Sequence, residues 1–247
     1  TMTAPFSKIN KVTASKLPEN GASILGFHLE GPYISKNYKG AQNEAYIKNP
    51  DIHDIENSDR VKLVTLAPEL EGSIEFIKSS NAVVCIGHTD ADYETAVKAA
   101  NAGCRCLTHT FNAMPPFHHR KPSVIGAAIT EDMYVQVICD GLHIHRAAIL
   151  ALYRIFGKER MILISDSMRA TGMPDGQYEF GGQNIIVKDH IAKTEYGAIA
   201  GSTSTLMTCV KKAVEFGIPF DDALYMATQT PAALMGINKG NIEKGFD

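Results

Sequence analysis

The sequence predicts an α/β fold in which parallel strands alternate with helices, as in a (β/α)8 barrel. Three observations predict it. Six continuous apolar runs recur along the 247 residues, at about 23–30, 61–67, 82–88, 105–110, 134–140 and 161–166. Unbroken apolar runs are what strands buried on both faces require. Helical patterns fall between most of them, the spacing of repeated β-then-α units. Five of the runs lead into a group that can bind a metal or move a proton, and parallel barrels carry their chemistry at the C-terminal ends of strands.

The elements follow in order. The first run, Ile24-Leu25-Gly26-Phe27-His28-Leu29-Glu30, ends on a carboxylate. After the second run, Glu71 to Ser79 reads as a helix. Val83-Val84-Cys85-Ile86-Gly87-His88 ends on an imidazole, and Thr89 and Asp90 offer caps for a helix over 91–102 that Gly103 ends. Cys106-Leu107-Thr108-His109 is the fourth run, and Val135 to Ile138 leads into Cys139-Asp140-Gly141-Leu142-His143. A helix is expected from Arg146 to Phe156, closed by Gly157, before Ile162-Leu163-Ile164-Ser165-Asp166. Over 176–200, Tyr178, Phe180, Ile185, Ile186 and Val187 flank Gly181-Gly182, the pattern of short antiparallel strands. Helices over about 204–216 and 221–235 follow. Six strands do not close an eight-stranded barrel. Counted back from Asp166 on the last strand they are strands 3–8, so residues 1–247 are expected to form a partial catalytic barrel domain, with two strands preceding residue 1.

Composition excludes several classes. Hydrophobic residues make up 45% and charged residues 21%, which predicts a packed domain. The net charge of −3 and the lack of any Lys/Arg run argue against a nucleic-acid partner. No apolar run reaches membrane-spanning length and no signal pattern opens the chain. The five cysteines are odd in number and three lie inside apolar runs, so reduced thiols in a cytoplasmic protein are expected. Cys104-Arg105-Cys106 lacks a second pair and reads as packing rather than zinc ligation.

One carboxylate and two imidazoles, Glu30, His88 and His109, suit Zn²⁺ or Fe²⁺ with positions left for water and substrate. A lone strand-end His is more ordinarily a hydrogen-bonded structural residue; three matching strand ends opening on one mouth reverse that reading. Asp166 precedes the small, flexible stretch Ser167 to Gly172 and is placed to take a proton from an attacking water and return it to a leaving group. A turn cap is the plainer alternative. His143 is placed to donate to a developing oxyanion, whereas His145 reads as a surface or helix-start residue. His118, His119, Arg120 and Lys121 form either a solvated loop or a phosphate contact, which Arg makes in bidentate form. Gly201-Ser202-Thr203-Ser204-Thr205 precedes a helix, where an N-cap is commoner than an anion site.

Six motifs carry a resemblance. His28-Leu29-Glu30-Gly31-Pro32-Tyr33, Gly87-His88-Thr89, Thr108-His109-Thr110-Phe111-Asn112-Ala113-Met114-Pro115, Asp140-Gly141-Leu142-His143, Ser165-Asp166-Ser167-Met168 and Ala200-Gly201-Ser202 occur in this order. Together, over about residues 24–236, the chain resembles the N-acetylglucosamine-6-phosphate deacetylases of the amidohydrolase superfamily. The resemblance implies a TIM-like barrel of the metal-dependent amidohydrolase type, truncated here, whose first two strands and the β-sandwich built from both chain ends lie outside this sequence. It implies that Glu30, His88 and His109 bind the catalytic divalent metal, with one or two ions per subunit. Asp166 would be general base and then general acid, and His143 would contact the sugar or the acetyl carbonyl. Ala41, Gln42, Asn112, Ala113, Ile199, Ala200 and Gly201 would contact substrate, and Arg120 would reach the phosphate in the neighbouring subunit of a homodimer. Family members usually have His where this chain has Gln42, which keeps a hydrogen bond but carries no charge. The implied reaction hydrolyses the acetamide of N-acetyl-D-glucosamine 6-phosphate to D-glucosamine 6-phosphate and acetate. A deacetylase of the galactosamine epimer and a non-catalytic sugar-phosphate-binding barrel are the competing readings.

Overall fold

The computed structural model describes residues 2–17, 20–55 and 59–246. Its main sheet has six strands, β1 (Phe27–Glu30), β2 (Val61–Leu66), β3 (Val83–Ile86), β4 (Cys106–Leu107), β5 (Tyr134–Ile138) and β6 (Met161–Ile164). All five pairings are parallel, and the spatial order is the sequence order. A sheet that never reverses direction places right-handed crossovers on one face only. That is the winding of a barrel, not of a doubly wound sheet.

Among the described residues seven α-helices accompany the strands: α1 (Phe6–Thr13), α2 (Ser73–Ser79), α3 (Tyr93–Ala102), α4 (Ser123–Thr130), α5 (Arg146–Arg160), α6 (Leu206–Phe216) and α7 (Phe220–Met235). Alternate strand residues such as Val64, Leu66, Val84, Leu107, Val137 and Met161 join Phe76, Ala96 and Ile149 of the helices in one core. The residues between them face the other way. His28, Leu63, Gln136 and Ile162, from four different strands, and Thr108, just past the end of β4, line a single groove. The sheet therefore curves around that groove as a partial barrel, with β1 and β6 as its edges.

A second sheet of three antiparallel strands, β7 (Gly176–Phe180), β8 (Gln183–Lys188) and β9 (Ile191–Thr194), follows β6, as the Gly181-Gly182 pattern predicts. It has its own small core of Met168, Ala170, Ile185, Val187, Ala192 and Ala200, against which Ala41 packs.

Several boundaries differ from the sequence expectation. α3 starts at Tyr93 because Asp92, not Thr89 or Asp90, accepts the Thr95 N–H as its cap. α2 starts at Ser73 rather than Glu71, because Gly72 takes a left-handed conformation. Gly157, with φ 63° and ψ 176°, is not helical and closes the first stretch of α5 after Phe156 as the sequence predicts; a short helical turn beyond the kink carries the element to Arg160. Among the described residues no helix is long and apolar enough to cross a membrane. All five cysteines are buried free thiols, and Cys104 packs in the main core.

Candidate active site

The site lies where the strands stop. Glu30 is the last residue of β1. His88, His109 and Asp166 each follow a strand by two residues, and all three adopt left-handed backbone conformations, at φ 48°, 30° and 49°. Such a conformation costs a non-glycine residue on the order of 1–3 kcal/mol and is held only where surrounding structure over-determines it. Here it swings each side chain off its strand and across the mouth of the sheet. Gly87 allows the approach behind His88, since a Cβ there would lie 2.8 Å from Thr65 Cγ2 and 2.9 Å from Thr108 Cβ.

Glu30 Oε1 lies 2.7 Å from His88 Nε2 and 3.0 Å from His109 Nε2, and the two Nε2 atoms are 3.1 Å apart. His88 Nδ1 donates to the carbonyl of Tyr38 at 2.8 Å. In the neutral ring that bond leaves a bare lone pair on Nε2, aimed at a carboxylate oxygen. Two acceptors at that distance repel unless a proton or a cation lies between them. The three ligand atoms can hold a metal ion, and their one-oxygen, two-nitrogen chemistry fits a divalent transition metal. Burial pushes the Glu30 carboxyl up, but the adjoining His109 and His88 rings outweigh it and hold Glu30 well below the usual carboxylate range. Burial lowers the His109 ring while Glu30 raises it, to about 9.

Asp166 faces this cluster with the opposite tendency. Burial pushes its carboxyl up, and the charge of Glu30 adds to that against the pull of His109, His143 and His88. A carboxyl raised toward neutrality is suited to both taking and giving a proton. Gly201 packs on the Asp166 carbonyl, where a Cβ would come within 3.2 Å, and its φ of 64° independently favours glycine.

One cleft is lined by Glu30, His88, His109, His143 and Asp166 together with Ala41, Gln42, Asn112, Ala113, Ile199 and Gly201. Nearly all the residues singled out from the sequence therefore converge. Ala200 does not line the cleft; it is fully buried in the small core and its N–H donates to Ala192 O. Arg120 is not at the cleft; it sits exposed beside His118 and Lys121 in a separate depression. Gln42 is buried, its amide oxygen accepting the Thr3 N–H at 2.6 Å and its amide nitrogen 3.4 Å from His88 Nε2. The Asn112 amide donates to the His109 carbonyl at 3.1 Å and so braces the loop. His145 caps α5 and Thr205 caps α6, the plainer of the readings the sequence allowed. Gly40, Ile138, Phe180 and Met2 also line the cleft, and nothing in the sequence marks them out. These are small or apolar residues with no chemical signature.

A one-directional β/α sheet with two carboxyl groups and imidazoles gathered at its C-terminal edge is the arrangement on which metal-assisted barrel hydrolases are built. The chain belongs to the amidohydrolase family, whose model matches residues 14–247. It is similar to an N-acetylglucosamine-6-phosphate deacetylase of Vibrio furnissii, at 40% identity over 99% of this chain and 65% of that protein. It also resembles an N-acetylgalactosamine-6-phosphate deacetylase of Escherichia coli O157:H7, at 35% identity over 96% of this chain and 67% of that one. The crystal structure of N-acetylglucosamine-6-phosphate deacetylase from Pasteurella multocida superposes with a TM-score of 0.93 at 31% identity, covering 99% of this chain and 68% of that one. The chain thus spans about two thirds of the length of these relatives.

Proposed function

We propose that the protein containing this chain hydrolyses the acetamide of N-acetyl-D-glucosamine 6-phosphate, releasing acetate and D-glucosamine 6-phosphate. The observation that carries the reading is the convergence of Glu30, His88, His109, His143 and Asp166 on one cleft. The names of the similar proteins supply the substrate class. Glu30, His88 and His109 hold one divalent cation, Zn²⁺ or Fe²⁺, of the one or two expected per subunit; such an ion supplies Lewis acidity to the acyl oxygen and to water. Asp166 accepts a proton from the attacking water on a carboxylate oxygen and returns it to the amide nitrogen, which leaves poorly until protonated. His143 donates to the acyl oxygen as negative charge builds there. Ala41, Gln42, Asn112, Ala113, Ile199 and Gly201 shape the cleft around the sugar, and the neighbouring Ala200 supports that wall.

No Lys or Arg is among the described residues lining the cleft, while a sugar phosphate carries up to two negative charges near neutrality. This supports a homodimer in which Arg120 of a second copy supplies the missing cation. Five buried free thiols support a reducing, cytoplasmic setting.

The test measures metal content and acetate release from both epimeric sugar phosphates. The parent protein should release acetate and prefer the glucosamine substrate. Asp166→Asn should keep its metal and lose about 10²–10⁴-fold in turnover. Metal binding without acetate release would leave only a sugar-phosphate-binding barrel, and preference for the galactosamine epimer would reassign the substrate.

A further inference from the structure

Behind His143 lies a carboxylate that none of the assigned roles uses. The Asp140 side chain is fully buried. Its Oδ1 accepts the backbone N–H groups of Leu142 at 2.9 Å and His143 at 3.0 Å. Its Oδ2 accepts His143 Nδ1–H at 2.7 Å and the Ser202 hydroxyl at 3.2 Å. Four donors therefore converge on one carboxylate from two segments 62 residues apart in sequence. Ser202 in turn donates its backbone N–H to the carbonyl of Asp166 at 2.8 Å and accepts from Met168 N, closing the loop that presents Asp166. One buried network thus joins the two residues given the proton-handling work.

We propose that Asp140 is a positioning residue of this site: it pins the His143 ring by Nδ1, leaves Nε2 facing the cleft, and ties that orientation through Ser202 to the Asp166 loop. This rests on the amide-hydrolysis reading above. The bond has a chemical consequence. A neutral ring that donates from Nδ1 can only accept at Nε2, because the two nitrogens share one proton. His143 therefore donates to a developing oxyanion as the imidazolium, with Asp140 supplying the compensating charge. The carboxylate is suited to this. Burial pushes it up, but the hydrogen bonds from the His143 ring and the two backbone N–H groups hold it at about 2, so it stays ionised.

Asp140→Asn keeps the shape and the acceptor for the two backbone N–H groups, but turns an amide N–H toward His143 Nδ1. The ring proton must then move to Nε2. The test uses the full-length, Zn²⁺-loaded protein. ¹⁵N NMR of the His143 ring, read at a pH where the ring is neutral, should show the single proton on Nδ1 in the parent and on Nε2 in Asp140→Asn. Turnover should fall about 10–100-fold, the usual cost of losing a group that orients a functional histidine, with KM changing far less. In a His143→Asn background the same substitution should cost less than about twofold, since a residue that acts only through His143 has nothing left to act on. Ser202→Ala removes one of the two Oδ2 partners; it should show a smaller loss that again vanishes in the His143→Asn background, and it keeps the test decisive if Asp140→Asn does not fold. Equal losses in both backgrounds, or a parent ring carrying its proton on Nε2, would overturn the proposal. A parent that releases no acetate but keeps the Nδ1 proton would instead count against the hydrolase reading alone.

Discussion

The two faces of the six-stranded sheet are made of alternate residues on the same strands, and they are built to different rules. Toward the helices, β2 presents Val64 and Leu66, β5 presents Val135 and Val137, and all are buried in one apolar core. Toward the groove the same strands present Thr65 and Gln136, β1 adds His28, and β4 continues into Thr108. Period-two alternation of a strand makes this division possible at single-residue resolution. The outer face holds the fold, while the inner face grows more polar toward the strand ends and finishes in Glu30, His88, His109 and Asp166. Stability and chemistry should therefore be separable by substitution.

The largest separation is expected at His109. Replacing it with Ala removes one of the three proposed ligand atoms and should cost about 10³-fold or more in kcat/KM, together with most of the bound metal. Its stability effect should depend on pH in a particular direction. Without a cation the folded His109 ring titrates at about 9, above the ordinary value of 6.5. The Glu30–His109 pair therefore adds stability that is fully present below about 6.5 and is lost as pH rises through about 9. Thermal unfolding of the chelated parent, compared with chelated His109→Ala between pH 6 and 10, should show the parent's advantage shrinking with rising pH. An advantage that grows over that range would mean the pair is not ionised as described.

On the outer face the balance reverses. Met161 is fully buried at the start of β6, at the opposite end of the strand from Asp166. Met161→Ala should cost about 2–5 kcal/mol by removing buried apolar volume and leaving a cavity. Denaturant unfolding measures that loss, and turnover per folded molecule should stay within about twofold of the parent. A large fall in kcat at full folding would show that the faces are not independent.

What the sequence made legible follows the same division. Each apolar run that leads into Glu, His or Asp announces both a strand and a residue that lines the cleft, because a charged group at the end of a buried strand has few other uses. α4 was not legible. Ser123 through Ala128 are all buried, so the segment shows no polar face and no helical period. α1 was missed for the opposite reason: only Ile9 and Thr13 are buried in its eight residues. Asp140 stood in plain sight within Asp140-Gly141-Leu142-His143, but its partner Ser202 comes from a distant loop, and no local pattern encodes that contact. Arg120 was singled out by charge, yet it lies outside the cleft of its own chain.

The smallest effect, and the finest test of the division, lies at Thr65. In the sequence it reads only as a β-branched strand former. In the structure its hydroxyl lies 2.7 Å from His28 Nε2 and 2.7 Å from Thr108 Oγ1, a polar chain across the inner face just beneath the ligands. Burial, the largest influence on His28, lowers its ring to about 4, so it sits there neutral and depends on such partners. Thr65→Val keeps the shape, exchanges the hydroxyl for a methyl, and strips that partner from both neighbours. Removing a hydroxyl that two buried polar groups share should cost about 1–3 kcal/mol in denaturant unfolding at pH 7. Because Thr65 does not line the cleft, turnover should change by less than about threefold. Should turnover instead fall a hundredfold in a variant that still folds, the inner layer below the ligands would belong to the chemistry, and the boundary between holding the fold and doing the reaction would have to be drawn one layer deeper.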